Sequence, residues 1–329
     1  MESTPDEAMS RSIARPRGRF DAVDVARGVA LAAMAAYHFT WDVGFLQLTP
    51  TNVAQSPMGH AAARIIAGSF LFLVGASLVL AHGGGVRWAS FWRRLAVVAG
   101  AALVITLATV FAIPEEYIFF GILHAIALSS LLGLPLLKAP VPVVIATGAL
   151  VLATPLVLTQ PAFDAPALAF LGLGTRLPIT NDYVPVFPWF GVVLIGIAAA
   201  RLTLPRWSGV WARWRAENPL TRALAWAGRR SLPIYLVHQP LLLAALYPIA
   251  LALGPNPVAE AAPFLNFHEE NCRRTGQPAE LCRSAGSCLV ARLRAEGLWT
   301  DVLRNQLDQA KRERVIEWSQ QCFAAEPGG

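Results

Sequence analysis

Asp24, Arg27, His38 and Asp42 all fall in one apolar stretch, DAVDVARGVALAAMAAYHFTWDVGFLQL, over residues 21–48. At about 100° per residue on a helix, the four side chains share an arc of roughly 60°. His38 is the natural base. Asp42, at i+4, is within reach of one ring nitrogen, which leaves the other free to take a proton. Asp24 and Arg27 form an i, i+3 pair near the start of the stretch. They read either as a helix-end salt bridge or as a guanidinium that guides an anionic donor or substrate inward. The stretch is long enough to cross a bilayer. A charge at mid-bilayer costs at least ~2.5 kcal/mol, so the stripe must face a bundle interior or a wet cavity.

Three more polar groups interrupt apolar runs. His124, in IFFGILHAIALSS, comes at a depth similar to His38 from the same side, so the two can line one cavity. His238 and Gln239, in SLPIYLVHQPLLL, precede Pro240. That proline is expected to break its helix and free backbone carbonyls, near which the pair can bind substrate. The structural alternatives are a His124 tied to a carbonyl and a His238 that caps the kink.

The elements that must position these groups are membrane helices. Of 329 residues, 55% are hydrophobic and 15% charged, and the mean hydropathy is +0.48. A soluble chain carries about 25% charged residues. The net charge of +6 sits in Lys/Arg clusters between apolar runs, where membrane topology accounts for it without nucleic acid. At about 20 apolar residues per crossing, seven spans are expected at 25–47, 59–81, 92–112, 117–137, 140–158, 186–203 and 231–252. The fold class is therefore all-α, a polytopic transmembrane helix bundle. Residues 1–20 form a basic cytoplasmic segment and 21–252 the membrane domain. Arginines at 11, 15, 17 and 19 place the N-terminus inside, and the loops then alternate in Lys/Arg content. Residues 163–175 hold about a dozen apolar residues, which fits a re-entrant or interfacial segment rather than a span.

An odd span count sends 253–329 across the membrane as a small helical tail, where an oxidising periplasm favours disulfides. All four cysteines, Cys272, Cys282, Cys288 and Cys322, lie there. Three pairings are open, with free thiols and zinc as alternatives. Intervening lengths of nine, five and thirty-three residues lack a close metal-ligand pair, so no metal site is assigned. From Cys288 to Phe323, apolar residues at helical spacing suggest two short packed helices.

FDAVDVARGVALAAMAAYHFTWD, FLFLVGASL, FFGILHAIALSSLL, FPWFGVVLIGI and RSLPIYLVHQPLL, in that order over about 21–250, resemble segments of the bacterial DUF1624 family of heparan-alpha-glucosaminide N-acetyltransferase catalytic-domain proteins. The resemblance implies a membrane acyltransferase that moves an acyl group from cytoplasmic acyl-CoA to a sugar or other envelope acceptor. It also implies an inner-membrane location. Membrane acyltransferase-3 proteins, more distantly similar, carry Arg/Lys-x₁₀-His in their first span, and Arg27 and His38 have that spacing. On this analogy His38 activates the acceptor and Arg27 belongs to the donor side, while His124, Gln239 or freed backbone N–H groups serve the oxyanion. Seven spans are fewer than the full acyltransferases have. The implied partners are acyl-CoA as co-substrate, a glycan or small-molecule acceptor and the bilayer, with a homodimer as an option and no bound cofactor. The competing reading is a transporter or flippase in which His38 and Asp42 relay protons. It calls for alternating gates and inverted repeats, and no internal repeat is evident.

Overall fold

The structure, a computed structural model, describes residues 20–324. The arginines at 11, 15, 17 and 19, on which the cytoplasmic N-terminus rests, lie outside the described residues. Contacts divide the chain into two units, one of residues 1–39 and 56–242, the other of 40–55 and 243–329. The division falls inside the first and last apolar helices, α1 (Asp21–Phe45) and α8 (Ser231–Leu253).

The first unit contains most of α1, then α2 (Pro57–His82), α3 (Trp88–Ala112), α4 (Ile122–Leu136), α5 (Val141–Val157), α6 (Val186–Arg213), α7 (Pro219–Arg229) and the first half of α8. Among the described residues the regular structure is helical, as the composition requires. Four helices are long and apolar enough to cross a membrane: α2, α3, α8 and the Val186–Arg206 part of α6. α1 has 25 residues but carries the charged stripe. α4 and α5, with 15 and 17 residues, are shorter apolar helices.

Helix starts follow local chemistry. Ser56 and Asn218 cap α2 and α7 with their side-chain oxygens, on the N–H of Gly59 and Thr221. Each is followed by a proline, whose missing N–H costs nothing at a first helical position. The acids Asp21 and Asp24 sit in the first turn of α1, where the helix dipole favours them.

α6 is the centre of this unit. Val193, Leu194 and Ile197 are fully buried against Leu71 of α2 and Val144 of α5. Two glycines let α2 and α6 touch backbone to backbone: a Cβ on Gly75 would overlap the Val193 carbonyl oxygen, and one on Gly196 that of Phe72. Such close approach is how helices gain packing where lipid removes the hydrophobic drive. The outward faces stay apolar, with Leu103, Leu107 and Phe111 on α3 and Leu150, Leu156 and Val157 on α5 all exposed.

Three expectations need correction. The fourth span was expected from 117, but α4 begins at Ile122. Residues before it are irregular backbone that pairs with the distant loop: Val184 N–H donates to the Phe120 carbonyl, and Asn181 N–H to that of Glu116. α4 is only ~22 Å long against a core of ~30 Å. Irregular backbone of this kind is tolerated at membrane depth only when other protein satisfies it. Second, Pro240 does not break α8, which runs through it unbroken. Third, the stretch of the tail from Cys288 to Phe323 holds parts of three helices rather than two short ones.

That tail, in the second unit, contains α9 (Pro257–Arg274), α10 (Ala279–Ala295), α11 (Trp299–Leu303) and α12 (Gln309–Ala324). Gly297, at φ +69°, ends α10 and separates it from α11. The cysteines pair Cys272–Cys282 and Cys288–Cys322, with Cα atoms 5.7 and 5.8 Å apart. One bond ties α9 to α10, the other α10 to α12. Between them Leu289, Leu293, Leu298, Trp299 and Trp318 make a small core. Residues 163–175 contain two short 3-10 turns and no α-helix, so they do not cross as a helix. Asp164 closes this loop by accepting hydrogen bonds from Thr175 and from the Arg176 N–H.

Candidate active site in the helix bundle

His38 lies on α1, nearly three turns past Gly28, the small residue that lets α7 approach. A Cβ on Gly28 would overlap the Leu224 carbonyl oxygen, and one on Gly228 that of Asp24. This contact fixes α7 against α1, and the chain turns at Arg230 into α8. α8 then brings two residues to His38. The amide oxygen of Gln239 lies 2.6 Å from His38 Nδ1. The His238 ring stands edge-on to the His38 ring, with centroids 4.9 Å apart and planes at 84°.

These contacts assign protons. An amide oxygen accepts, so His38 Nδ1 carries the hydrogen and Nε2 the lone pair. His238 Nδ1 lies 2.5 Å from the Tyr235 carbonyl, which can only accept, so its lone pair also sits on Nε2. That Nε2 is buried and has no hydrogen-bond partner among the described residues. The sequence expected Gln239 to bind substrate; in the structure its amide oxygen lies on His38 Nδ1 and orients that ring. Asp42, one turn beyond His38 on the same helix, is fully buried.

Asp24 and Arg27 form a second cluster. Arg27 Nη1 donates to Asp24 Oδ1 at 2.8 Å and Nη2 to Ser77 Oγ at 2.6 Å. Ser77 donates in turn to the Leu73 carbonyl one turn back on α2. Asp24 is 1% exposed, so the pair is clamped between α1 and α2. Arg27 precedes His38 by eleven residues, a rise of ~16 Å along α1.

His124 is held by residues of the α3 and α4 ends. Its Nδ1 accepts from the Gly121 N–H at 3.3 Å, and Nε2 lies 3.3 Å from Thr106 Oγ1. Thr106 donates onward to the Ile118 carbonyl at 2.7 Å. Both ring nitrogens hold the irregular entry to α4. Asp182 shares that task, accepting from Ile122 N–H at 2.8 Å. Burial pushes the Asp182 carboxyl up from its ordinary range, and the Ile122 hydrogen bond opposes this.

Sequence reasoning missed Ser77, Tyr235, Asp182 and Thr106. Ser77 is a lone hydroxyl in an apolar run, and Tyr235 stands three residues before His238, one helical turn away. Both were visible signals. Asp182 and Thr106 gave none, because their partners are far off in the chain.

An apolar shell around half-buried His–His–Gln and Asp–Arg–Ser clusters, in which Asp24, Ser77 and His238 are the buried members, defines an integral membrane protein with a chemically equipped interior. The heparan-alpha-glucosaminide N-acetyltransferase catalytic-domain family matches residues 19–240. The chain belongs to that family, and the match takes in every candidate residue named above except the cysteines. No curated relative and no solved structure matched it.

Proposed function

We propose that this protein is a membrane acyltransferase that moves an acetyl or other acyl group from cytoplasmic acyl-CoA to a sugar or other envelope acceptor, with His38 as the base. The observation that carries the proposal is the Gln239 amide on His38 Nδ1. It fixes the tautomer and leaves Nε2 to take the acceptor's proton. The acceptor oxygen or nitrogen attacks the thioester carbonyl, the carbon–sulfur bond breaks, and the proton returns to the departing thiolate. Family membership supports the acyl-transfer class.

Arg27, clamped at the near end of α1, belongs to the donor side in this reading. The arginines at 87, 93, 94, 229 and 230 would meet the phosphates of CoA, for which guanidinium is the best-suited side chain. Asp42 supports the base from the same helix. His124 serves by holding the start of α4 in place. The protein sits in a bacterial inner membrane with its disulfide-bonded tail in the periplasm. Thiol labelling of intact cells tests that placement: the cysteines should react only after reduction, without breach of the inner membrane.

The decisive experiment uses purified protein, acetyl-CoA and glucosamine as the acceptor probe. His38→Ala should lower the transfer rate by ~10²–10⁴-fold, the usual share of a general base, while thermal unfolding stays within a few degrees. A variant as fast as the wild type ends the proposal.

A further inference from the structure

His238 holds a buried nitrogen for which the base mechanism has no use. Its Nδ1–H is consumed by the Tyr235 carbonyl. Its Nε2 is buried and lacks a hydrogen-bond partner among the described residues. The residue as a whole is 9% exposed. A buried acceptor left without a donor is destabilising, because it has lost water and gained nothing in return. A proton or a donor arriving there during turnover removes that cost.

His38 brings a single nitrogen to the reaction, because its Nδ1 is held by Gln239 and only Nε2 is left to meet the acceptor. In the tetrahedral intermediate the entering atom and the sulfur hang from the same carbon, so a second nitrogen beside the first can serve the sulfur. The second basic nitrogen at the site is His238 Nε2, on a ring that packs edge-on against His38. Among the described residues no carboxylate is hydrogen-bonded to the His238 ring.

We propose that His238 is the general acid of the reaction, carrying the proton from His38 to the departing thiolate. This rests on the acyltransferase reading above. The acceptor's O–H or N–H proton passes to His38 Nε2 as the new bond to the carbonyl carbon forms. It then passes from His38 Nε2 to His238 Nε2. When the carbon–sulfur bond breaks, its electron pair goes to sulfur, and His238 Nε2–H protonates that sulfur. Both imidazoles return to their neutral tautomers and the thiol leaves. No further reactant is needed. The hydrogen bond to Tyr235 keeps the His238 ring in the orientation that the transfer uses.

The test compares two donors on the full-length protein with glucosamine as acceptor probe. Acetyl-CoA has a basic thiolate that needs a proton to leave. The acetyl thioester of para-nitrothiophenol has an acidic leaving group that does not. His238→Gln keeps a polar side chain of similar reach. With acetyl-CoA it should lower kcat by ~10²-fold and leave KM within about twofold. With the nitrothiophenyl thioester the deficit should shrink below about tenfold. His38→Gln should be slow with both donors. An equal loss of His238→Gln on the two donors would show a role in packing or acceptor binding and overturns the proposal, as does a wild-type kcat with acetyl-CoA. A wild-type protein that transfers from neither donor overturns the acyltransferase reading itself, and this assignment with it.

Discussion

An imidazole inside a helix bundle acts as a base only when something fixes which nitrogen holds the hydrogen. Here a neutral amide does so. Compared with a carboxylate, an amide orients the ring without adding a charge that the low-dielectric interior would have to stabilise. The argument predicts that Gln239→Leu lowers kcat at least about tenfold, though by less than loss of the base. Steady-state kinetics in detergent would check it, with Gln239→Glu as the companion variant that keeps an acceptor at the same place. At this scale the sequence was informative about identity. His38, Arg27, His238 and Gln239 were each legible as polar groups that an apolar run does not tolerate without reason. Their grouping was not legible. His124 had the same signature as His38, yet its Nδ1 caps α4 on the Gly121 N–H while its Nε2 meets Thr106 of α3.

The elements owe their geometry to small residues. α7 and α1 meet where Gly28 and Gly228 each face a backbone carbonyl. Backbone cannot rotate away as a side chain can, so a larger residue must push the helices apart. Gly228→Leu is expected to cost about 1–3 kcal/mol, the range for overpacked contacts, and to lower the unfolding temperature in detergent by several degrees. The same change shifts Asp24, so the Arg27–Ser77 clamp should loosen and transfer should fall with it. Five of the seven expected spans correspond to helices within about four residues of their hydropathic bounds, while α6 starts on its bound and runs on to Arg213. The seventh, α4, starts five residues late. YIFFG is as apolar as the helix that follows, so hydropathy runs through it unbroken. Its backbone is instead paired with residues some sixty positions later, beside Tyr183.

At the scale of the whole molecule, the chain contains two units with different sources of stability. The membrane unit is held by helix packing around α6. The tail has a core of under a dozen buried residues and two disulfides, the covalent support that small cores commonly need. Within it His268 packs between Phe264 and Phe323, and burial pushes its imidazole below the ordinary value. In the unfolded tail the same ring takes a proton near pH 6.5. Just below that pH the unfolded state therefore binds more protons than the folded one. Stability from this group is complete above about pH 6.5 and is lost as pH falls toward the folded value. Hydrogen exchange in α9 and α10 of the full chain should show weaker protection at pH 5 than at pH 7.5, after correction for intrinsic rates. His268→Gln should flatten that difference.

Hydropathy and helical period belong to consecutive residues, so the sequence by itself determined that this is an all-α membrane protein. It also determined that one face of the first helix carries acid, base and guanidinium, and that four cysteines share one short tail. Which cysteine meets which, and which group fixes the base, depend on segments brought together by packing. Cys288 finds Cys322 rather than its near neighbour Cys282 because Gly297 and the turns after it fold α12 back onto α10. His38 finds Gln239 across 201 residues because two glycines let α7 dock on α1 and aim α8 beside it. No periodicity within a helix encodes a partner on another helix. Only the close fit of the two surfaces does.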